Sequence, residues 1–236
     1  MSANIFNRLI AFSFLLTTLS LSAQQQTGKV PFYFRPDELH IDLILAPPPT
    51  AGSHDDVAEL AYLLDLQGTR SEQDVIRAKQ DDTEEDMFVF RDVMGANFTA
   101  AQLPAMAQLS RRLKNDSEMV DPPLKHYFAR PRPYIRSDQV HPVCALSKEP
   151  SYPSGHAMLG YLFAYVLAQI EPEKHGAILR RADDYAHNRL VCGVHYQSDI
   201  EASRIASTVL FGAMLNDPSY QHDVQAARQE WDLNKR

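Results

Sequence analysis

The sequence predicts an all-α fold: a single-domain helical bundle built around a buried central apolar helix. Three observations point there. Apolar residues recur at three- and four-residue intervals through most of the chain, and no alternating strand pattern persists. The stretch Ala157–Ile170 carries no charged residue, and its 14 positions suit a buried core helix better than a membrane span of roughly 20. No repeat and no Gly/Ser linker divides residues 24–236.

The elements follow in chain order. Arg8, the apolar run Leu9–Thr18 and the small residues Ser20-Leu-Ser-Ala23 form a secretory signal pattern, so residues 1–23 are set aside as a leader. The competing reading, a membrane anchor, needs a longer apolar run. Residues 24–28 form a polar tail, and Ile41–Thr50, with prolines at 47, 48 and 49, reads as an extended arm. Val57, Leu60, Ala61, Leu64 and Leu66 give a helix from Asp55 that Gly68 stops, and Ser71 with Asp74 opens a second running to about Lys79. The acidic run Asp81–Asp86 reads as a solvated helix start. Thr99 caps a helix through Leu113, and Asp121-Pro-Pro ends that region or begins another helix. After the apolar helix, three more are expected over Glu173–Asn188, Asp199–Leu215 and Pro218–Trp231.

Composition bounds the function classes. With 236 residues, 44% hydrophobic content and a net charge of −7, the chain can bury a sizeable core. A sequence pI near 5.7 argues against a nucleic-acid polymer as partner, and a mean hydropathy of −0.32 against a bundle of membrane spans. Two cysteines cannot hold a four-cysteine metal site; in an exported chain Cys144 and Cys192 are either one disulfide or two buried thiols.

Three islands carry the chemistry. Lys125, Arg130, Arg132 and Arg136 put four cations into 12 residues with no acid between them. In an acidic chain this is either a local anion site or a basic turn paired with the acidic run at 81–86. Tyr152-Pro-Ser154-Gly155-His156 stands at the start of the apolar helix, where free backbone N–H groups and the helix dipole favour an anion. Ser154 and Gly155 would cradle phosphate there with His156 facing it; alternatively Ser154 is an ordinary N-cap beside an incidental histidine. In Asn188-Arg189…His195…Asp199, the i,i+4 spacing lets Asp199 hold the imidazole of His195 and leave its other nitrogen free to attack. Arg189 adds a fork of donors for phosphoryl oxygens, while a buried, satisfied His–Asp pair is the alternative.

Taken together, Lys-x6-Arg-Pro, Pro-Ser-Gly-His and Arg-x5-His-x3-Asp, in that order, closely resemble the signature of the phosphatidic acid phosphatase type 2 / vanadium haloperoxidase superfamily. The surrounding Ser151-Tyr-Pro-Ser-Gly-His-Ala, Cys192-Gly-Val-His-Tyr-Gln-Ser-Asp-Ile and Leu45-Ala-Pro-Pro-Pro are similar to bacterial class A non-specific acid phosphatases. The resemblance runs from about Ile44 to the C-terminal helix. It departs at Asn188, where the family usually has Ser, and this implies a tuned Arg189 or pocket rather than lost activity.

The resemblance implies an acid phosphatase domain over 24–236 that hydrolyses small phosphomonoesters through a phosphohistidine. His195 is then the nucleophile, Asp199 its holder, and a protonated His156 the acid and later the base. Lys125, Arg132, Ser154, Gly155 and Arg189 would bind the phosphoryl group, with no metal or cofactor. It further implies inhibition by phosphate or vanadate, phosphotransfer to alcohols as a side activity, a homo-oligomer, and a periplasmic or secreted location. Cys-x5-Arg, Arg-His-Gly, Asp-x-Asp-x-Thr and His-Glu-x-x-His motifs are all absent, which sets aside the corresponding hydrolase chemistries. A vanadate-loaded haloperoxidase, a lipid phosphatase and an exported anion-binding module without chemistry are the competing classes.

Overall fold

A computed structural model describes residues 29–235; the leader expected over 1–23 and the tail at 24–28 lie outside the described residues. Within that range the chain is helical and holds no strand. The elements are α1 (His54–Thr69), α2 (Glu72–Thr83), the short α3 (Arg91–Met94), α4 (Pro104–Phe128), the short α5 (Pro133–Arg136), α6 (Gly155–Ile170), α7 (His175–Val191), α8 (Gln197–Met214) and α9 (Pro218–Asn234).

Local chemistry sets the helix starts. Ser53 accepts from Asp56 N and Ser71 from Asp74 N, the latter in a reciprocal capping box. Asp217 accepts from two first-turn amides of α9. α6 is the core: Ala157, Met158, Leu162, Phe163, Ala164, Val166 and Leu167 are all buried, and α7 and α8 pack against it. α4 packs against α6 and α9, and Phe98 meets Trp231 edge-on at 5.6 Å. No helix among the described residues is long and apolar enough to cross a membrane.

Close helix approach depends on small residues. Ser203 and Ser207 of α8 donate hydroxyl hydrogen bonds to the Ser154 and Met158 carbonyls, at 2.8 and 2.6 Å. At Gly160 of α6 a Cβ would sit 2.5 Å from Cδ1 of Tyr185. That ring is buried in α7, and its hydroxyl donates to the Glu84 carbonyl at 2.7 Å, so it has nowhere to swing. Alanine gains about 1 kcal/mol in helix propensity, but overpacking of this kind costs about 1–3 kcal/mol. Because the ring cannot move aside, the cost falls at the upper end, and Gly160→Ala is expected to destabilise by up to about 2 kcal/mol in urea unfolding; an unchanged midpoint would contradict this packing.

Three expectations are corrected. Pro122 and Pro123 do not break the chain: α4 runs unbroken through them. Each proline removes an intrahelical bond, but both sit on the exposed face, where water can take the freed carbonyls, while Leu124 and Lys125 beside them are buried. Thr99 does not cap the helix directly; its carbonyl accepts from Leu103 N at 3.0 Å in a turn that delivers Pro104 to the first helical position. Within the supposed extended arm, Ile41–Leu43 form a 3-10 turn that buries Ile41, and the chain straightens only afterwards.

The two cysteines form one disulfide, Cys144–Cys192. It ties the irregular segment 137–154 to the end of α7, the two parts of the chain that flank the site.

Candidate active site

The three islands converge on one cavity of about 290 Å³, lined by Lys125, Arg132, Gly155, His156, Arg189 and His195. Each is delivered by a helix end. Lys125 occupies the last turn of α4, which closes through the left-handed Ala129. Arg132 precedes α5, His156 lies in the first turn of α6, and Arg189 in the last turn of α7. His195 sits in the turn between α7 and α8, which Gly193 opens with φ +74°, a conformation that favours glycine.

His195 is buried and its tautomer is set by its neighbours. Arg132 Nη1 lies 2.8 Å from Nε2, and a guanidinium can only donate, so Nε2 accepts. The proton is then on Nδ1, which donates to Asp199 Oδ2 at 3.2 Å. Asp199, fully buried, also accepts from Tyr196 N at 2.9 Å, from the Ser151 hydroxyl, and from Arg130 Nη1 at 2.7 Å. Burial, reinforced by Arg132, Lys125 and Arg189, holds the His195 imidazole well below its usual pKa. The nitrogen facing the cavity is thus an unprotonated lone pair.

His156 Nε2 lies 3.1 Å from Glu85 Oε1 and 3.2 Å from the Asp82 carbonyl. Burial and Arg189 push its pKa down to about 4, against the opposing pull of Glu85 and Asp82. Burial and Arg189 thus favour the neutral imidazole, and the protonated His156 of the expected mechanism calls for added negative charge beside the ring.

Arg189 donates to Asp82 at 2.5 Å, while its Nε is buried with no hydrogen-bond partner among the described residues. A buried guanidinium N–H without an acceptor is the mark of a site built for an anion. Lys125 donates to the Pro153 carbonyl and stands 3.3 Å from Asp121. Burial lowers the Lys125 pKa and raises that of Asp121.

Ser154 departs from its expected role. Its amide donates to Ser203 Oγ at 2.8 Å, its hydroxyl caps α6 by accepting from Ala157 N, and it does not line the cavity. Gly155, next along, does line it, and at a first helical position its amide has no hydrogen-bond partner among the described residues. The acidic run 81–86 is not a solvated helix start either. Asp81 binds Arg181 at 2.6 Å and Asn188 at 2.7 Å, Asp82 binds Arg189, and Glu85 joins Lys114 to His156. Asn188 thus holds the residue beside Arg189's partner rather than touching Arg189 itself. The basic island divides: Lys125 and Arg132 enter the cavity, whereas Arg130 and Arg136 are tied to carboxylates, Arg136 to Asp56 at 2.5 Å.

Sequence reasoning counted Arg130 only as one cation of the basic island and gave Ser151, Glu85 and Asp121 no role at the site. Arg130 is buried, donates to Asp199 and, at 2.7 Å, to Glu59, and stacks 3.8 Å over the Tyr196 ring. Its position two residues before Arg132 was the available signal. Ser151, three before Ser154, was another.

Residues 117–223 match the PAP2 superfamily. The acid phosphatase of Zymomonas mobilis is 32% identical over 238 residues, covering 94% of this chain and 85% of that protein. The non-specific acid phosphatase of Providencia stuartii is 28% identical over 221 residues, with 87% of each covered. Among solved structures, a bacterial vanadium-dependent iodoperoxidase aligns at TM-score 0.56 and 20% identity, over 73% of this chain and 52% of that one. A PAP2-type phosphatidylglycerolphosphate phosphatase of Bacillus subtilis aligns at TM-score 0.51 and 17% identity, over 68% and 85%. These two likenesses establish the shared helical fold. With a relative this similar along nearly its whole length, and its own arginines and histidines gathered at one cavity, the chain belongs to the PAP2 superfamily, among its bacterial acid phosphatases.

Proposed function

We propose that this phosphatase hydrolyses phosphate monoesters by direct attack of His195 Nε2 on phosphorus, through a covalent phosphohistidine and without a metal ion, after export from the cytoplasm. The observation that carries the reading is the tautomer of His195: Nδ1–H is committed to Asp199, and Nε2 presents a lone pair to a cavity lined by cations.

In the first step the Nε2–P bond forms as the bond from phosphorus to the leaving oxygen breaks. Lys125, Arg132, Arg189 and the Gly155 amide hold the equatorial oxygens, where charge must be stabilised. Arg132 transfers its donor from Nε2 to the phosphoryl group, which frees the nucleophile at the moment of binding. The leaving alkoxide takes a proton from His156. Burial and Arg189 disfavour that proton in the free protein, and a phosphoryl dianion beside the ring, arriving with a proton from solvent, offsets Arg189 and favours the imidazolium. Water then attacks phosphorus with His156 as base, the N–P bond breaks, and phosphate leaves. Ser154 supports the site by fixing Gly155 rather than by binding substrate. Three cations and a helix start supply the positive charge that other phosphatases draw from metals. Export is supported by the leader pattern and by the disulfide.

The purified protein should turn over p-nitrophenyl phosphate at mildly acid pH in excess EDTA, and alkaline quenching during turnover should trap phosphate on His195. Activity lost to the chelator and restored by a divalent cation would overturn the metal-free mechanism.

A further inference from the structure

Asp121 is out of place in an anion site. It projects from α4 one turn before Lys125, its Oδ1 is buried 3.3 Å from the Lys125 ammonium, and it has no hydrogen bond there. Its Oδ2 lies 2.8 Å from the point a Cβ would occupy on Gly155, so the carboxyl group presses directly on the start of α6. It lines the same cavity as His156, Arg189 and His195. Arg132 and Glu149 are the other charges that bear on it, from the segments before α5 and before α6.

An ionised carboxylate here does two unfavourable things. It repels a phosphoryl dianion across a few ångströms of partly desolvated space, and it engages the ammonium that the anion needs. A protonated carboxyl does the reverse. Its O–H becomes a donor, and Lys125 is released to the substrate.

We propose that Asp121 takes up one proton from solvent as the phosphoryl group binds, donating it in a hydrogen bond to a phosphoryl oxygen and freeing Lys125, so that acid pH strengthens substrate binding. This rests on the phosphoryl site proposed above. Burial already pushes the Asp121 carboxyl up, Glu149 adds to the shift, and Lys125 and Arg132 oppose it. His156 is the other proton acceptor at the site; its own partners are Glu85 and the Asp82 carbonyl, whereas Asp121 faces Lys125. The proposal places one determinant of an acid optimum in a residue that is neither nucleophile nor general acid.

The test is orthophosphate binding to the full chain by calorimetry at about pH 5 and about pH 7.5, with Asp121→Asn beside the unaltered protein. The unaltered protein should weaken markedly at the higher pH. Asp121→Asn, which cannot ionise, should bind phosphate about tenfold tighter than the unaltered protein at pH 7.5 and show a shallower pH dependence, the remainder belonging to His156 and to the second ionisation of phosphate itself. Buffers of different ionisation enthalpy should show one fewer proton taken up by the variant. Equal or weaker binding by Asp121→Asn at pH 7.5, or an unchanged proton count, overturns the proposal. Failure of the unaltered protein to bind phosphate at either pH overturns the phosphoryl site itself, a separable outcome. Asp121→Ala provides a second variant; it too should bind more tightly at pH 7.5, without the hydrogen bond at pH 5.

Discussion

His195→Ala should lower kcat by roughly 10⁴-fold or more while leaving the protein folded. The size of the effect follows from what the imidazole does: it forms the bond to phosphorus, and His156, the other imidazole lining the cavity, is held at Nε2 by Glu85 and the Asp82 carbonyl. The folded state should survive because the neutral imidazole is not a counter-ion. Asp199 keeps Arg130, Ser151 and Tyr196 N as partners, and Arg132 keeps its bonds to the Val194 and Glu149 carbonyls. Steady-state kinetics paired with a thermal melt separates the two. A variant that melts normally and still turns over would show that His195 is not the nucleophile.

Arg130→Met should destabilise the protein by about 3–5 kcal/mol, the largest stability effect expected of a side chain that does not line the cavity. Arg130 is buried and spreads its donors over Asp199, Glu59 and Ser198. Methionine fills much of the volume but leaves two carboxylates facing each other with no cation between them, and that penalty exceeds anything gained by the apolar side chain. Arg130→Lys should recover little, since one ammonium cannot reach three acceptors set around a planar fork. Urea unfolding measures the loss; less than about 1 kcal/mol would mean that water or rearrangement supplies the missing charge. Activity should fall in the same variant, because Asp199 would no longer be held on both of its oxygens.

Much of the fold and the chemistry could be read from the residues before any coordinates. Helix periodicity and caps placed α1, α2, α6, α7, α8 and α9 to within a few residues, because those helices each bury one face or, in α6, most of the surface. The spacing of His195 and Asp199 was legible because an i,i+4 pair at a helix start meets through local geometry alone. What resisted reading was tertiary. Pro122 and Pro123 break a helix unless they happen to lie on its wet side, and the side is fixed by what α4 packs against. The sequence 81–86 looks like any solvated acidic turn until Arg181, Arg189 and Lys114 arrive from other helices. Ser154 lost its amide to Ser203, and Asp121 gained its place beside Gly155, through contacts between residues 49 and 34 positions apart.

The ion pairs around the site also bear on its modularity. The superfamily match spans residues 117–223 and contains both histidines and every cation of the cavity except Lys114. Yet four of its arginines draw a counter-charge from outside it: Glu59 for Arg130, which also pairs with Asp199 inside, Asp56 for Arg136, Asp81 for Arg181 and Asp82 for Arg189. A fragment limited to the matched segment would carry the whole catalytic signature and still leave these four guanidiniums without those partners. The first two helices and the acidic turn after them are therefore the electrostatic complement that lets a cationic site exist inside an acidic protein, and the smallest autonomous unit extends well beyond the recognisable motif.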